Sequence, residues 1–97
     1  MYNVHMTLLR FEWEPRKATA NLKKHGISFE EAKSVFYDES AKLISDPDHS
    51  EDEDRFILLG VSHSLRMILV CHCYRSEGKV VRIISARKAT PKESKAY

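Results

Sequence analysis

A continuous stretch near the start of the chain decides the fold, and it reads FEWEPRKATANLKKHGISFEEA over residues 11–32. Its first three residues alternate apolar and polar side chains, as a short strand does. Pro15 supplies the fixed φ that suits the first turn of a helix. Gly26 is the residue type best able to adopt the left-handed conformation that follows a helix end. The stretch therefore predicts a short strand at 11–13 and a helix from Pro15 to His25.

A second helix is predicted to begin directly after Gly26. Ser28 is a suitable N-cap, and Glu31 stands three residues later, as a capping box requires. Apolar side chains follow at the three- to four-residue spacing of a buried helical face. They are Phe29, Ala32, Val35 and Phe36. We expect this helix to end near Tyr37 or Asp38.

The remainder of the chain predicts an antiparallel sheet. Four runs are rich in β-branched or aliphatic residues, as strands are. They span residues 42–45, 55–61, 67–75 and 79–86. Between the last two runs lies Ser76-Glu77-Gly78, and a glycine between two apolar runs is a hairpin signal.

A short C-terminal helix closes the predicted fold. Thr90 is its N-cap, Pro91 its first residue and Glu93 its third. The predicted fold class is therefore α+β, with two N-terminal helices, a four-stranded antiparallel sheet and a short C-terminal helix.

Length and hydrophobic content predict one domain over residues 1–97. The chain is 42% hydrophobic, which suffices for a single small core. No run approaches the roughly 20 apolar residues of a membrane-spanning helix, so we expect a soluble, cytoplasmic protein without a membrane partner. Three interpretations of residues 1–9 remain open: a flexible leader left from a tag, an alternative start at Met6, and an early strand.

Charge is distributed unevenly along the chain. Residues 38–54 contain eight acidic side chains and one basic one, whereas residues 75–97 contain seven basic side chains and two acidic ones. A basic surface of this kind attracts phosphates or an acidic protein partner.

Four polar side chains of the first helix fall on one predicted face. They are Lys17, Asn21, Lys24 and His25. Ala18 and Leu22 mark the neighbouring face, which we expect to be buried. In the functional interpretation the lysines hold phosphate oxygens and His25 exchanges protons near neutral pH. The alternative is a solvated helix face.

The last predicted strand carries a second candidate group. Strict alternation would place Val81, Ile83, Ser85 and Arg87 on one side of the sheet. Arg87 closes the strand beside a helix start, where an arginine can clamp phosphate in a bidentate manner. A salt bridge to Glu12, Glu14 or the acidic loop is the alternative.

Two segments could hold a metal ion. The loop 46–54 places carboxylates around His49, which suits magnesium or calcium, but its composition favours a hydrated acidic loop. Cys71 and Cys73 flank His72, yet this spacing is not that of structural zinc. We therefore expect no metal and no cofactor.

Taken together, the segments resemble the BrnT-type toxins of bacterial type II toxin–antitoxin systems. The resemblance covers roughly Phe11 to Tyr97 and rests on an ordered set of motifs. They are Phe11-Glu12-Trp13-Glu14, Lys17, Asn21, Lys24-His25-Gly26, Ser28-Phe29-Glu30-Glu31-Ala32, Asp46-Pro47-Asp48-His49-Ser50, Arg55, Gly60, Ile83-Ile84-Ser85-Ala86-Arg87-Lys88-Ala89-Thr90, Glu93 and Tyr97. One departure is Leu65, which stands before Arg66 where family members commonly carry a glycine.

The resemblance implies a compact RelE-like fold and a ribonuclease that arrests translation. It also implies neutralisation by a cognate, BrnA-like antitoxin whose own dimer can bind operator DNA. The RNA substrate would be free or ribosome-associated, and DNA would be reached only through the antitoxin.

As a hypothesis, the ribonuclease promotes attack of a ribose 2′-hydroxyl on the neighbouring phosphate without a metal. We assign proton transfer to His25 and charge stabilisation to Lys17 and Arg87. The remaining candidates hold RNA by charge and stacking. They are Lys24, Arg55, Arg66, Arg82 and Tyr97. Two other functions remain open: a non-catalytic RNA- or protein-binding module, and a metal-binding regulator using Cys71, Cys73 and a histidine.

Overall fold

The structure, a computed structural model, describes residues 9–45 and 54–97. The predicted leader, apart from Leu9, and most of the acidic loop lie outside these residues. The five strands are β1 (Arg10–Glu12), β2 (Lys42–Ser45), β3 (Phe56–Val61), β4 (Met67–Arg75) and β5 (Val80–Lys88). The helices are α1 (Pro15–His25), α2 (Phe29–Ser34), which continues as a 3₁₀ turn (Val35–Tyr37), and α3 (Pro91–Ser94).

The strands form one mixed sheet in the order β1-β5-β4-β3-β2, which corrects the predicted four-stranded antiparallel sheet. The fifth strand is β1, which pairs in parallel with β5, so that Arg10 lies beside Val80 and Glu12 beside Arg82. Alternation identified this strand from its own residues. Its partner lies about 70 residues away in the chain, and local alternation carries no information about such a partner.

Helix ends follow the local sequence closely. The predicted bounds of α1 are confirmed, and Gly26 ends it with φ of 71° while its N–H donates to the carbonyl of Leu22. At the start of α2, Ser28 Oγ accepts from the N–H of Glu31, but the Glu31 carboxylate points elsewhere and binds Ser62 and Arg66. Only half of the predicted capping box forms there. The full box of Thr90 and Glu93 forms at α3.

A bulge in β5 overturns the predicted alternation of that strand. Cys71 pairs with Ser85 and His72 pairs with Ile83, so Ile84 is the extra residue. Because a bulge shifts the alternation by one position, Ala86 joins Ile83 in the core, while Ser85 and Arg87 turn to the opposite face. The bulge is therefore the feature that takes Arg87 out of the core face.

The core lies on one side of the sheet, beneath α2, the 3₁₀ turn and the residues that join α1 to α2. Its buried members come from this segment and from alternating strand positions. They are Ile27, Phe29, Ala32, Val35, Leu58, Ile68, Val70, Val81, Ile83 and Ala86. We call this side of the sheet the helix face and the opposite side the open face. No helix within residues 9–45 and 54–97 has the length and apolar content to span a membrane.

The turn between β3 and β4 explains the departure at Leu65. Leu65 has a φ of 61°, in the left-handed region that glycine occupies at little cost. Its N–H donates to the carbonyl of Ser62, which closes the turn. A glycine at this position is therefore what the backbone favours.

Candidate active site

Asn21 anchors α1 along the edge of β5. Its amide nitrogen donates to the carbonyls of Ile27 and Ala86 at 2.9 Å each, and its oxygen accepts from the N–H of Ala86 at 3.0 Å. The strand β1 pairs with β5 only as far as Arg82. Beyond that point, Asn21 makes hydrogen bonds to the backbone N–H and carbonyl of Ala86 in β5.

This contact corrects the predicted faces of α1. Asn21, expected on the polar face, is 6% exposed, whereas Leu22, expected to be buried, is 52% exposed. The helix rests against a strand edge rather than lying flat on the sheet. A strand edge presents polar backbone groups, so the residue that faces it is an amide rather than an aliphatic side chain.

One helical turn beyond Asn21, His25 reaches a cleft of about 390 Å³ on the open face. The floor comes from one row of paired positions, in which Ile57 lies beside Cys71 and Cys71 beside Ser85. One histidine and two arginines, from three separate parts of the chain, border this floor. They are His25 at the end of α1, Arg55 before β3 and Arg87 in β5. Cationic and imidazole groups at one concave surface can bind a phosphate and exchange a proton beside it.

Arg87 is oriented by an ion pair with Glu93 at the rim of the cleft. Its Nη1 and Nη2 donate to the two carboxylate oxygens of Glu93 at 2.9 and 2.8 Å, and Nη1 also donates to the carbonyl of Lys88. The Arg87 guanidinium lowers the pKa of Glu93 to about 2. The sequence identified Glu93 as a helix cap and as part of the family resemblance, but not as a partner of Arg87. Its position six residues after Arg87, next to a helix start, is the signal that could have identified it.

The two lysines of the predicted cationic face, Lys17 and Lys24, are exposed on α1 and do not line the cleft. Lys17 stands eight residues before His25, which corresponds to about 12 Å along a helix axis. Lys24 is adjacent to His25 in the chain. The four predicted side chains thus divide into His25 at the cleft, Asn21 against β5 and two lysines outside the cleft.

Arg66, predicted to bind RNA, lies on the helix face in a closed network. It binds both oxygens of the buried Glu31, and its Nη2 also donates to the carbonyl of Gly26 at 3.1 Å. Ser62 Oγ donates to the same carboxylate at 2.7 Å. The hydrogen bonds from Arg66 lower the pKa of Glu31. This network ties the β3–β4 turn to the junction between α1 and α2.

The other two predicted RNA contacts differ in their surroundings. Arg82 lies on the open face and pairs with Glu12 at 2.7 Å, where both side chains are partly exposed. The Tyr97 hydroxyl donates to Asp38 Oδ2 at 2.7 Å. Asp38 also accepts from the N–H of Val61, so Tyr97 fastens the C-terminus to the end of β3.

The residues considered for metal binding do not converge. Cys71 lines the cleft, whereas His72 is fully buried on the helix face, where it contacts the ring of Phe36 and binds the carbonyl of Val70. Within residues 9–45 and 54–97, no three His, Cys, Asp or Glu side chains are grouped as a metal site would need. His49 lies outside the described residues.

Comparison with known proteins assigns the molecule to a class. It shares its fold with the Brucella abortus ribonuclease toxin BrnT, whose crystal structure matches with a TM-score of 0.64 at 24% sequence identity, over 84% of this chain and 97% of that one. A family model described as the ribonuclease toxin BrnT of type II toxin–antitoxin systems matches residues 13–93. The chain therefore belongs to the BrnT family of ribonuclease toxins. None of the curated protein sequences compared with the chain matched it.

Family membership decides among the functions that the sequence left open. The resemblance is confirmed, and with it the ribonuclease activity and the type II toxin–antitoxin context. A toxin of this kind has an antitoxin as its partner. The family match does not assign the catalytic residues.

Proposed function

We propose that this toxin cuts RNA in the open-face cleft, by attack of a ribose 2′-hydroxyl on the adjacent phosphate and without a metal ion. The observation that supports this proposal is the approach of His25 and Arg87 to one cleft from two separate elements. The reaction requires a proton-transfer group and cationic stabilisation of a phosphorane-like transition state. Both kinds of group border this cleft.

His25 exchanges the proton in the proposed reaction. Histidine is suited to this role because it changes charge near neutral pH. The Asn21 contact to Ala86 fixes the turn of α1 that carries His25 against the strand that carries Arg87. This anchoring would hold the proton-transfer group and the phosphate-binding group in a constant relation.

Arg87 stabilises the charge that develops on the phosphate, and Arg55 binds the phosphate from the opposite border of the cleft. Arginine presents a planar set of donors that matches phosphate oxygens. The floor includes the apolar side chains of Ile57 and Leu69, and apolar surroundings strengthen such charge interactions.

The RNA would extend from the cleft along two directions. Lys24 and Lys17 follow from His25 along α1, and Arg82 follows from Arg87 along the open face of β5. The exposed pair between Arg82 and Glu12 is weak enough to be exchanged for a phosphate. We therefore propose Lys17 as a backbone contact, about 12 Å before His25 along the helix. Arg66 and Tyr97 are engaged in structural contacts, and we leave them out of this surface.

The proposal carries further consequences for partners. RNA cleavage by the toxin would arrest translation in the cytoplasm, on RNA that is free or ribosome-associated. Operator DNA would be reached only through the antitoxin. The basic C-terminal quarter of the chain is consistent with an RNA substrate and with an acidic segment of a partner protein.

The test is RNA cleavage by the purified protein in excess chelator. The wild type should cut at its full rate, and His25→Ala should cut at least about 100-fold more slowly, because a general acid–base group contributes that much. His63→Ala is the matched control, since His63 is exposed in the β3–β4 turn and does not line the cleft. Undiminished cutting by His25→Ala would remove the proposed role, and loss of wild-type cutting in chelator would remove the metal-independent mechanism.

A further inference from the structure

Glu93 holds the Arg87 guanidinium in a defined geometry. The carboxylate binds the end of the guanidinium, with one oxygen on Nη1 and the other on Nη2. A guanidinium has a second edge, formed by Nε and the outer hydrogen of Nη2, that can also bind an anion in a bidentate manner. Among residues 9–45 and 54–97, none accepts a hydrogen bond from Arg87 Nε. Within this part of the chain, the hydrogen bonds of Arg87 use Nη1 and Nη2 only, so one two-donor edge is available to a phosphate while the other end is fixed.

We propose that Glu93 is a positioning residue, which fixes Arg87 so that this remaining edge meets the reacting phosphate in the cleft. The inference rests on the proposed function, because it assigns Glu93 to the arginine of the same cleft. Glu93 itself touches no reacting atom. Its effect on the reaction would come from the orientation of Arg87 before the RNA arrives, which lowers the cost of reaching the transition state.

Glu93 can orient Arg87 because it is itself fixed. One carboxylate oxygen also accepts from the N–H of Thr90 at 2.9 Å, and Thr90 Oγ1 accepts from the N–H of Glu93 at 3.1 Å. This capping box closes around the same glutamate that binds the arginine. An exposed ion pair without such support would reorient easily and contribute little.

The helix that carries Glu93 is also fastened at both ends. Before it, the N–H of Ala89 donates to the carbonyl of Met67 on β4 at 3.0 Å. After it, the Tyr97 hydroxyl binds Asp38 at 2.7 Å, beside the end of β3. A four-residue helix is not stable by itself, so these contacts are what keep α3 in place. They place the C-terminal segment across the ends of three neighbouring strands, with Glu93 between the two attachments.

The charge on Glu93 persists over the whole range in which RNA is stable. Its pKa of about 2, caused mainly by the hydrogen bonds from Arg87, keeps the carboxylate ionised. The same pair raises the pKa of Arg87. The orientation of Arg87 would therefore not vary with pH near neutrality.

Glu93→Gln isolates the positioning role. Glutamine can still accept from the Thr90 N–H and so preserve the capping box, but its amide group presents hydrogens to one Nη of Arg87. We expect kcat for RNA cleavage to fall by about tenfold or more, as a small misplacement of a reacting group does, while KM changes little. Glu93→Asp, which keeps the charge on a shorter stem, should lie between the glutamine variant and the wild type.

Glu30→Gln is the matched control, because Glu30 is an exposed glutamate of α2 away from the cleft. It should leave both kinetic constants unchanged. Thermal unfolding of all three variants shows whether the fold is retained. A wild-type kcat for a folded Glu93→Gln would overturn the proposal. So would a lower KM with unchanged kcat, which would show that Glu93 competes with the phosphate.

Arg87→Ala separates this inference from the proposed function. If Arg87→Ala cuts RNA at the wild-type rate, then the assignment of Arg87 fails and the role of Glu93 fails with it. If Arg87→Ala loses cleavage and Glu93→Gln retains it, then only the positioning role of Glu93 fails. Loss of kcat in both variants, with the Glu30 control unaffected, is the result expected.

Discussion

The two faces of the sheet contain the same kinds of charged groups in different settings. The helix face has an arginine bound to a glutamate, Arg66 with Glu31, and a histidine, His72. The open face has Arg87 with Glu93, and His25 at the cleft. The Glu31 side chain is 7% exposed and the Glu93 side chain 35% exposed. His72 is fully buried, whereas His25 is partly exposed.

The difference shows that the setting of an arginine or histidine, rather than its type, separates structural from functional groups here. On the helix face, the acceptors that the Arg66 side chain binds among the described residues are groups that the fold must satisfy, namely the buried carboxylate of Glu31 and the carbonyl of Gly26. On the open face, Arg87 lines the cleft, and no described residue accepts a hydrogen bond from its Nε. From the sequence, Arg87 was predicted to stabilise charge in the reaction and Arg66 to bind RNA.

Replacing each of the two arginines in turn should produce opposite phenotypes, and these are the largest expected effects. Arg87→Ala should reduce cleavage by about 100-fold or more, as loss of a transition-state donor does, with little change in stability because the pair is exposed. Arg66→Met should lower the free energy of unfolding clearly more than Arg87→Ala does, since it leaves the buried Glu31 carboxylate without its charged partner. Denaturant unfolding and RNA cleavage per folded molecule measure the two effects.

The comparison fails if Arg66→Met keeps the wild-type stability and loses cleavage. Arg66 would then be an RNA contact, as its sequence position predicted. It also fails if Arg87→Ala unfolds the protein, because Arg87 would then be a structural residue of the open face.

A smaller effect is expected at Leu65, in the turn that presents Arg66 to Glu31. Leu65→Gly should raise the free energy of unfolding by about 0.5–1 kcal/mol, because glycine relieves the cost of a positive φ. The leucine side chain is 85% exposed, so its removal loses little packing. Leu65→Ala keeps the unfavourable φ and should be neutral or slightly destabilising in the same urea titration. Equal stabilisation by both variants would show that exposure, rather than backbone conformation, is responsible.

The smallest effect concerns the pH dependence of stability on the helix face. Burial lowers the pKa of His72 below its usual value near 6.5. Its Nδ1 donates to the carbonyl of Val70, and Nε2 lies 3.2 Å from the Tyr74 hydroxyl. As pH falls below about 6.5, His72 binds a proton in the unfolded chain but not in the folded one. The free energy of unfolding therefore decreases as pH falls.

In the variant His72→Phe, the free energy of unfolding should therefore decrease less between about pH 7.5 and 5.5, which is the range in which histidine titrates. An unchanged slope in His72→Phe would show that His72 is not the group responsible.

Sequence rules predicted the features that depend on neighbouring residues. The bounds of α1, the left-handed Gly26, the extent of β4 and the capping box at Thr90 and Glu93 all follow from local preferences and are confirmed. Each is decided within about five residues, where steric limits and hydrogen-bonding needs act directly.

The features that depend on distant partners were not predictable in this way. The parallel pairing of β1, the extra residue Ile84 and the carboxylate that binds Arg66 are each determined by contacts across the fold. Asn21 was predicted on the polar face of the first helix, because its partner, the backbone of Ala86, has no sequence signature. The sequence brought attention to His25 and Arg87, but their approach to one cleft follows from this anchor and from the bulge.

The most direct test of the account is a crystal structure of the toxin with an RNA oligonucleotide that carries a 2′-deoxy ribose at the cleavage position, which prevents attack. We expect a phosphate on the open face, with an oxygen about 3 Å from a guanidinium nitrogen of Arg87 and His25 beside the 2′ position. A phosphate bound on the helix face, near Arg66 and away from His25, would contradict it.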